Sequence, residues 1–131
     1  MKRHIINPWN WQEPLGFVWI NDVKDVQRTL YLSGHASLDD QGQLLHPGDM
    51  RSQIHQTLGN VEAMLKAAGV GLANVVRLNF YTVDVDSTMA HWDLISERLK
   101  KAGCQPASTL LGVTRLAFPG LLIEMEATAV V

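Results

Sequence analysis

Two helix-forming segments that enclose one alternating strand constrain the fold more than any other feature of this sequence. Asp49 can cap a helix that runs to Ala68, where Gly69 can end it. Its apolar face repeats at helical spacing, at Ile54, Leu58, Val61 and Leu65. Residues 75–85 then alternate between apolar and polar side chains, which is typical of a strand with one buried face.

The second helix is predicted from Ser87 to Lys101, with Asp86 or Ser87 as its cap and Gly103 just beyond its end. Its apolar stripe comprises Met89, Trp92, Ile95 and Leu99. The order of helix, strand and helix requires each helix to cross over one face of a sheet.

The ends of the chain add further strands. Residues 17–23 and 29–33 are rich in β-branched and aromatic side chains and flank a polar stretch, which predicts a β-hairpin. Residues 34–48 have the glycines and aspartates of a loop. Residues 108–116 and 121–131 predict two more strands, separated by a Phe-Pro-Gly turn.

These elements predict an α+β fold in a single domain, residues 1–131, with one mixed β-sheet and two helices packed on one face. The other face of the sheet would be left bare. Apolar positions there would need a cover from a second subunit, so we expect an oligomer.

Composition excludes several classes of function. The net charge of −2 offers no basic surface for a phosphate backbone, so we expect no nucleic-acid partner. Cys104, the single cysteine, allows no internal disulfide and favours a cytoplasmic location. Neither a signal peptide nor an apolar stretch of membrane-spanning length is present, so we expect no membrane association. His46 and His55 lack carboxylates at ligand spacing, and we predict neither metal nor cofactor.

Several motifs, in order and spacing, resemble those of one known family. They are Leu32-Ser33-Gly34-His35, residues 56–69 of the first helix, residues 75–83, Pro106-Ala107 with Arg115-Leu116, and residues 123–130. Together they resemble the reactive intermediate deaminase (Rid) family, formerly called YjgF, over residues 17–131.

The resemblance implies a chorismate-mutase-like fold and a homotrimer with a barrel-like interior and small-molecule clefts between subunits. Family members with deaminase activity hydrolyse the enamine or imine of a small 2-keto acid to a ketone and ammonia. An arginine binds the substrate carboxylate there. By correspondence, Glu124 is the predicted catalytic residue, Ser33 and Gly34 supply backbone contacts, and Phe17 is nearest the family's aromatic position.

The resemblance breaks at one position. Deaminase members read Pro-Ala-Arg, whereas this chain reads Pro-Ala-Ser and places Ser108 where the arginine should be. A serine hydroxyl has neither the permanent charge nor the bidentate fork of an arginine. Ser108 is therefore expected to hydrogen-bond a substrate that is not the usual 2-imino acid, and Arg115 is a candidate replacement for the missing charge. His35 is a candidate at the cleft mouth.

Each candidate has a plainer structural interpretation. Glu124 could face solvent, Ser33 and Gly34 could simply end a strand, and His35 could be a packing residue. Phe17 could belong to subunit packing with Trp9, Trp11 and Trp19, and Arg115 could form a surface ion pair.

Two functions from different classes remain open on the sequence. The first is binding or hydrolysis of a small nitrogen-containing metabolite by enamine/imine deaminase-like chemistry. The alternative is a non-catalytic metabolite-binding or regulatory module on the same fold. Endoribonuclease activity, a third possibility, is disfavoured by the negative net charge.

Overall fold

Helix α1 (Met50–Ala67) holds the apolar centre of the computed structural model, which describes all 131 residues. Asp49 caps it by accepting a hydrogen bond from the Ser52 backbone N–H. The predicted apolar face is confirmed, because Ile54, Leu58, Val61 and Leu65 are fully buried. Each such side chain contributes about 1.5–3 kcal/mol through burial.

Seven strands and two further helices complete the regular structure. The strands are β1 (Lys2–Ile6), β2 (Ile20–Lys24), β3 (Thr29–Tyr31), β4 (His35–Ala36), β5 (Val75–Thr82), β6 (Ala107–Gly112) and β7 (Ile123–Val130). The helices are α2 (Val85–Ala90) and α3 (Trp92–Lys101), and short 3₁₀ turns span Glu13–Leu15 and Leu72–Asn74.

The main sheet is mixed, as predicted. Its strand order is β3-β7-β5-β6, with β4 also paired to β7. Strands β5 and β6 are parallel, and every other pair in this sheet is antiparallel. The parallel pair is joined by α2 and α3, which supply the crossover that parallel strands require.

One face of this sheet carries the core. Leu78 and Phe80 of β5 and Met125 and Ala127 of β7 are buried in one cluster with the apolar faces of α1 and α3. We call this side the helix-covered face and the opposite side the open face. Alternate residues of each strand therefore point toward the open face.

The predicted β-hairpin of residues 17–23 and 29–33 is wrong. Strand β2 pairs with β1, a strand the sequence did not predict, in a separate two-stranded sheet. Strand β3 pairs instead with the end of β7. Local composition identified strand-forming residues, but a partner distant in sequence decided the pairing of each strand.

The second helix is also different from the prediction. It is interrupted at His91, and its cap is Asp84, which accepts from the Ser87 backbone N–H, rather than Asp86 or Ser87. Beyond the interruption Trp92 packs edge-on against Phe80, with ring centroids 4.9 Å apart. Met89, before the interruption, is 44% exposed, so its predicted place in the apolar stripe is wrong.

The β1–β2 ribbon is attached to the domain by Arg3. Its guanidinium donates to the backbone carbonyl oxygens of Ala73, Val75 and Gln105 and to the Asn21 side chain. Asn21 in turn donates to Val76 and Gln105. The first residues of the chain are thus fixed against the ends of β5 and β6.

Candidate active site

Polar side chains of β5 and β7 meet on the open face of the sheet. The strand register pairs Tyr81 with Glu124 and Asn79 with Glu126. The sequence predicted apolar residues on this face that would need a cover. The centre of the face is polar instead, and its exposed apolar side chains, such as Tyr31 and Leu111, lie on strands nearer its edges.

Glu126 is the centre of a hydrogen-bond network. The Tyr81 hydroxyl donates to Glu126 Oε1, and Asn79 Nδ2 donates to the same oxygen over 3.2 Å. The bond from Tyr81 is the main reason that the pKa of Glu126 is lowered, and it raises the pKa of Tyr81. Both bonds stabilise Glu126 as a carboxylate.

Glu124 has the opposite electrostatic environment. Burial raises the pKa of this half-buried carboxyl group, and the negative charge of Glu126 raises it further. Two carboxyl groups two residues apart on one strand are thus shifted in opposite directions. Such a pair separates a group that exchanges protons from a group that stays ionised.

Gly34 lies directly against the Glu124 side chain. A Cβ atom added at Gly34 would lie 2.8 Å from Glu124 Cδ and closer still to Oε1. The structure therefore brings together Gly34 and Glu124, two of the residues that the sequence proposed for the site. Ser33 adjoins them and is exposed.

His35 does not join this group. It pairs with Met125 across the β4–β7 ladder, which places it on the helix-covered face, whereas Ala36 pairs with Glu124. His35 is half-buried, and burial lowers its pKa, which favours the neutral imidazole.

Ser108 also lies on the helix-covered side of the sheet, since β6 pairs it with Leu78. Its Oγ is buried and has no hydrogen-bond partner within the chain. Glu124 and Ser108 of one protomer thus belong to opposite faces of the sheet.

Phe17 and Arg115 lie apart from Glu124. Phe17 packs edge-on against Trp11 and Trp19, with ring centroids 6.5 and 5.3 Å away, and lines a cavity formed by the N-terminal segment. Arg115 is exposed in the segment between β6 and β7 and forms no ion pair within the chain.

Comparison with known proteins identifies the family. The model of the family described as Endoribonuclease L-PSP, the Rid or YjgF family, matches residues 18–131. This chain belongs to the Rid family. Among its relatives, 2-iminobutanoate/2-iminopropanoate deaminase of rat is 34% identical over 107 residues, covering 80% of this chain and 74% of the relative. The goat deaminase is 32% identical over 105 residues, covering 80% and 74%.

Solved structures show the same fold. The Rid-family protein YyfB of Yersinia pestis is 33% identical, covers 100% of both chains and superimposes with a TM-score of 0.90. The YjgF gene product of Escherichia coli is 27% identical with a TM-score of 0.69, covering 82% of this chain and 84% of that one. The predicted α+β, chorismate-mutase-like Rid fold is confirmed. In addition, no helix has the length and apolar character to cross a membrane.

Three residues of the open-face site were not predicted from the sequence, namely Asn79, Tyr81 and Glu126. The alternation of β5 already placed Asn79 and Tyr81 on the side opposite Leu78 and Phe80. What the sequence lacked was the register between β5 and β7, which brings Tyr81 within reach of Glu126. In this Rid-family chain the open-face site therefore comprises Gly34, Asn79, Tyr81, Glu124 and Glu126.

Proposed function

We propose that this Rid-family protein hydrolyses the imine or enamine of a small metabolite at the open-face site. The observation that carries the proposal is Glu124, a half-buried carboxyl group of raised pKa that lies against Gly34, in the position where a side chain of residue 34 would be. A carboxyl group whose pKa is raised is better suited to accept and return a proton than an ordinary glutamate. The deaminase names of relatives that are 32–34% identical support this chemistry.

The reaction consumes one water, and both protons of this water pass from its oxygen to the imine nitrogen. Glu124 accepts a proton from the water as its oxygen bonds to the imine carbon, and the C=N double bond becomes a single bond in a carbinolamine. Glu124 returns this proton to the nitrogen, the C–N bond breaks, and the carbonyl forms as the hydroxyl proton passes through Glu124 to the departing nitrogen, which leaves as ammonia. The balance is imine plus water giving ketone plus ammonia. Glu126, held ionised by Tyr81, would stabilise the positive charge on a protonated imine.

We also propose that the substrate lies between protomers of a homotrimer. Glu124 and Ser108 are on opposite faces of the sheet, so a small molecule cannot contact both within one protomer. Strand β6 ends the strand order of the sheet, which leaves its outer edge free to approach another copy. A cleft between two protomers allows Glu124 of one and the β6 edge of the next to share a ligand, and the Rid resemblance implies clefts between subunits.

Ser108 supports a substrate outside the usual 2-imino acids. The position offers a buried hydroxyl without a partner and no positive charge. A charge-assisted hydrogen bond contributes about 1.5–3 kcal/mol, so we expect this protein to hydrolyse carboxylated imines about ten- to a hundredfold less efficiently than an arginine-bearing member does.

Ser108→Arg should raise kcat/KM for a carboxylated imine and should not change kcat/KM for an uncharged imine of the same size. Wild-type protein that already matches a full deaminase on the carboxylated imine would show that another residue, such as Arg115, binds the carboxylate.

The proposal is tested by ammonia release from paired carboxylated and uncharged imines. Glu124→Gln keeps the size of the side chain and removes the proton acceptor, so kcat should fall by about 10²–10⁴-fold. Asp93→Asn, an exposed position on α3, is the matched control and should retain full activity. Metabolite binding without ammonia release from any imine would refute the catalytic proposal in favour of a binding module.

A further inference from the structure

A cavity separate from the open-face site lies between the N-terminal segment and the C-terminal half of α3. Its volume is about 520 Å³, and the residues that matter for its chemistry are Asn7, Gln12, Glu13, Phe17, Glu97 and Lys100. None of the residues of the open-face site lines it. The family model begins at residue 18, so most of the N-terminal wall lies outside it, whereas the match to YyfB covers this whole chain.

Gln12 gives this cavity a fixed and unused hydrogen-bond donor. The residue is fully buried, and its Oε1 accepts from Trp19 Nε1 over 2.8 Å. An indole N–H can only donate, so this bond fixes which end of the amide is oxygen and which is nitrogen. Nε2 then has no partner within the chain. A buried donor without an acceptor costs about 1–3 kcal/mol, which a ligand oxygen would recover.

Other polar groups of the cavity add donors and charges. Asn7 Oδ1 accepts from the Trp19 backbone N–H over 2.9 Å, so its Nδ2 group is the end left to donate. Lys100 supplies one ammonium group, and Glu13 and Glu97 supply two exposed carboxylates. Phe17, Val18 and Pro14 form the less polar part of the wall.

We propose that this cavity binds a free α-amino acid with an aliphatic side chain, in its zwitterionic form. The amide donors of Gln12 and Asn7, together with Lys100, suit a carboxylate, while Glu13 and Glu97 suit an ammonium group. Two carboxylates against one ammonium group disfavour a simple organic anion, because it would lack the positive charge that those carboxylates can bind. The apolar wall accepts the side chain.

The ligand is held without covalent chemistry. Cys104 also lines the cavity, but burial raises the pKa of its thiol to about 12. A neutral thiol is a poor nucleophile. Ligand binding in the cavity is therefore non-covalent. A bound ligand would affect the aromatic cluster of Trp9, Trp11, Phe17 and Trp19 through the hydrogen bond between Trp19 and Gln12.

Three matched probes test the proposal: leucine, 3-methylbutylamine, which lacks the carboxylate, and 4-methylpentanoate, which lacks the ammonium group. Binding is measured by titration calorimetry and by tryptophan fluorescence, since the Trp19 indole bonds directly to Gln12. Leucine should bind saturably, and each truncated analogue should bind at least about tenfold more weakly. Absence of saturable leucine binding would show that the cavity holds only water, and equal binding of all three probes would show that it does not recognise a zwitterion; either result overturns the proposal.

Variants locate the site. Gln12→Met keeps the volume and removes the donor, and it should weaken leucine binding by at least about tenfold. Because Gln12 is buried and its substitution can impair folding, Lys100→Gln at the exposed end of α3 serves as a second test and should also weaken binding. Lys66→Gln on α1 and Glu124→Gln at the open-face site should bind leucine as the wild type does. Unchanged affinity in Gln12→Met and Lys100→Gln, or loss of binding in Glu124→Gln, would overturn the assignment.

Discussion

Gly34 is the residue whose replacement most directly tests the geometry around Glu124. An added methyl group would overlap the Glu124 carboxyl group, at 2.8 Å from Cδ. We therefore expect Gly34→Ala to displace the carboxyl group and to lower kcat/KM for imine hydrolysis by about 10²-fold, the loss typical of a misplaced catalytic group. The effect is measured as kcat/KM from the rate of ammonia release with one imine substrate.

Gly59→Ala is the matched control for that substitution. Gly59 lies within α1, and a Cβ atom there would meet nothing within 4 Å. Alanine in a helix interior should stabilise the fold by about 0.5–1 kcal/mol without changing activity. Equal kinetics of Gly34→Ala and wild type would show that Glu124 has room to move and that Gly34 does not position it.

The pH dependence of hydrolysis should report the coupling between the two glutamates. Glu124 must be ionised to accept a proton, so activity should rise with pH through its raised pKa. Glu126→Gln removes the neighbouring negative charge and keeps an acceptor for Tyr81. The pKa of Glu124 should then fall, and the acid limb of the kcat/KM profile should move to lower pH. Burial, the larger cause, remains, so the limb should stay above that of an ordinary glutamate.

The control for this profile is Asp93→Asn, which removes an equal charge from the exposed first turn of α3, on the helix-covered side of the sheet. Its acid limb should coincide with that of the wild type. An acid limb that stays in place in Glu126→Gln, or moves to higher pH, would mean that a group other than Glu124 titrates in the profile.

At the scale of elements, the cap of α2 distinguishes the structure from the sequence-based expectation. Asp84 accepts from the Ser87 backbone N–H, whereas Asp86 lies within the first turn of the helix. Asp84→Ala should lower the free energy of unfolding by about 1 kcal/mol, the usual loss for a removed cap. Asp86→Ala should lower it by only a few tenths, through the helix dipole. Urea unfolding of the two variants decides between them, and a larger loss in Asp86→Ala would restore the original expectation.

Elements with strong internal periodicity could be predicted from the sequence, and those defined by distant partners could not. The buried face of α1 follows from its own spacing, and the alternation of β7 separates Glu124 and Glu126 from Met125 and Ala127. Strand β2 contains strand-forming residues, yet its partner β1 could not be inferred from local composition.

The same limit applies to the candidate site. The Rid resemblance indicated Glu124 and Gly34, and the structure brings them together. Tyr81 and Asn79 depend on the β5–β7 register, which no local pattern specifies. Correspondence along the chain also indicated Ser108, His35 and Phe17. The strand pairing of β6 sets the face of Ser108, the pairing of β4 sets that of His35, and the N-terminal segment supplies the neighbours of Phe17.

At the scale of the whole molecule, we expect a homotrimer that forms through the open face. Light scattering should give about 44 kDa, three times the chain mass of 14.6 kDa. Leu111 is 49% exposed on the open face, where it pairs with Tyr81, and Leu111→Asp should dissociate the trimer into folded protomers, because a charge would be buried unpaired. Met64→Asp is the control, since Met64 is 46% exposed on α1, which packs on the other face of the sheet. It should remain trimeric.

Met125→Asp differs from both, because Met125 is fully buried in the core against the helices, and this variant should unfold rather than dissociate. A wild-type mass of one chain would refute the trimer. A trimeric Leu111→Asp variant would show that protomers associate through another surface, and a folded Met125→Asp variant would contradict the assignment of the two faces of β7.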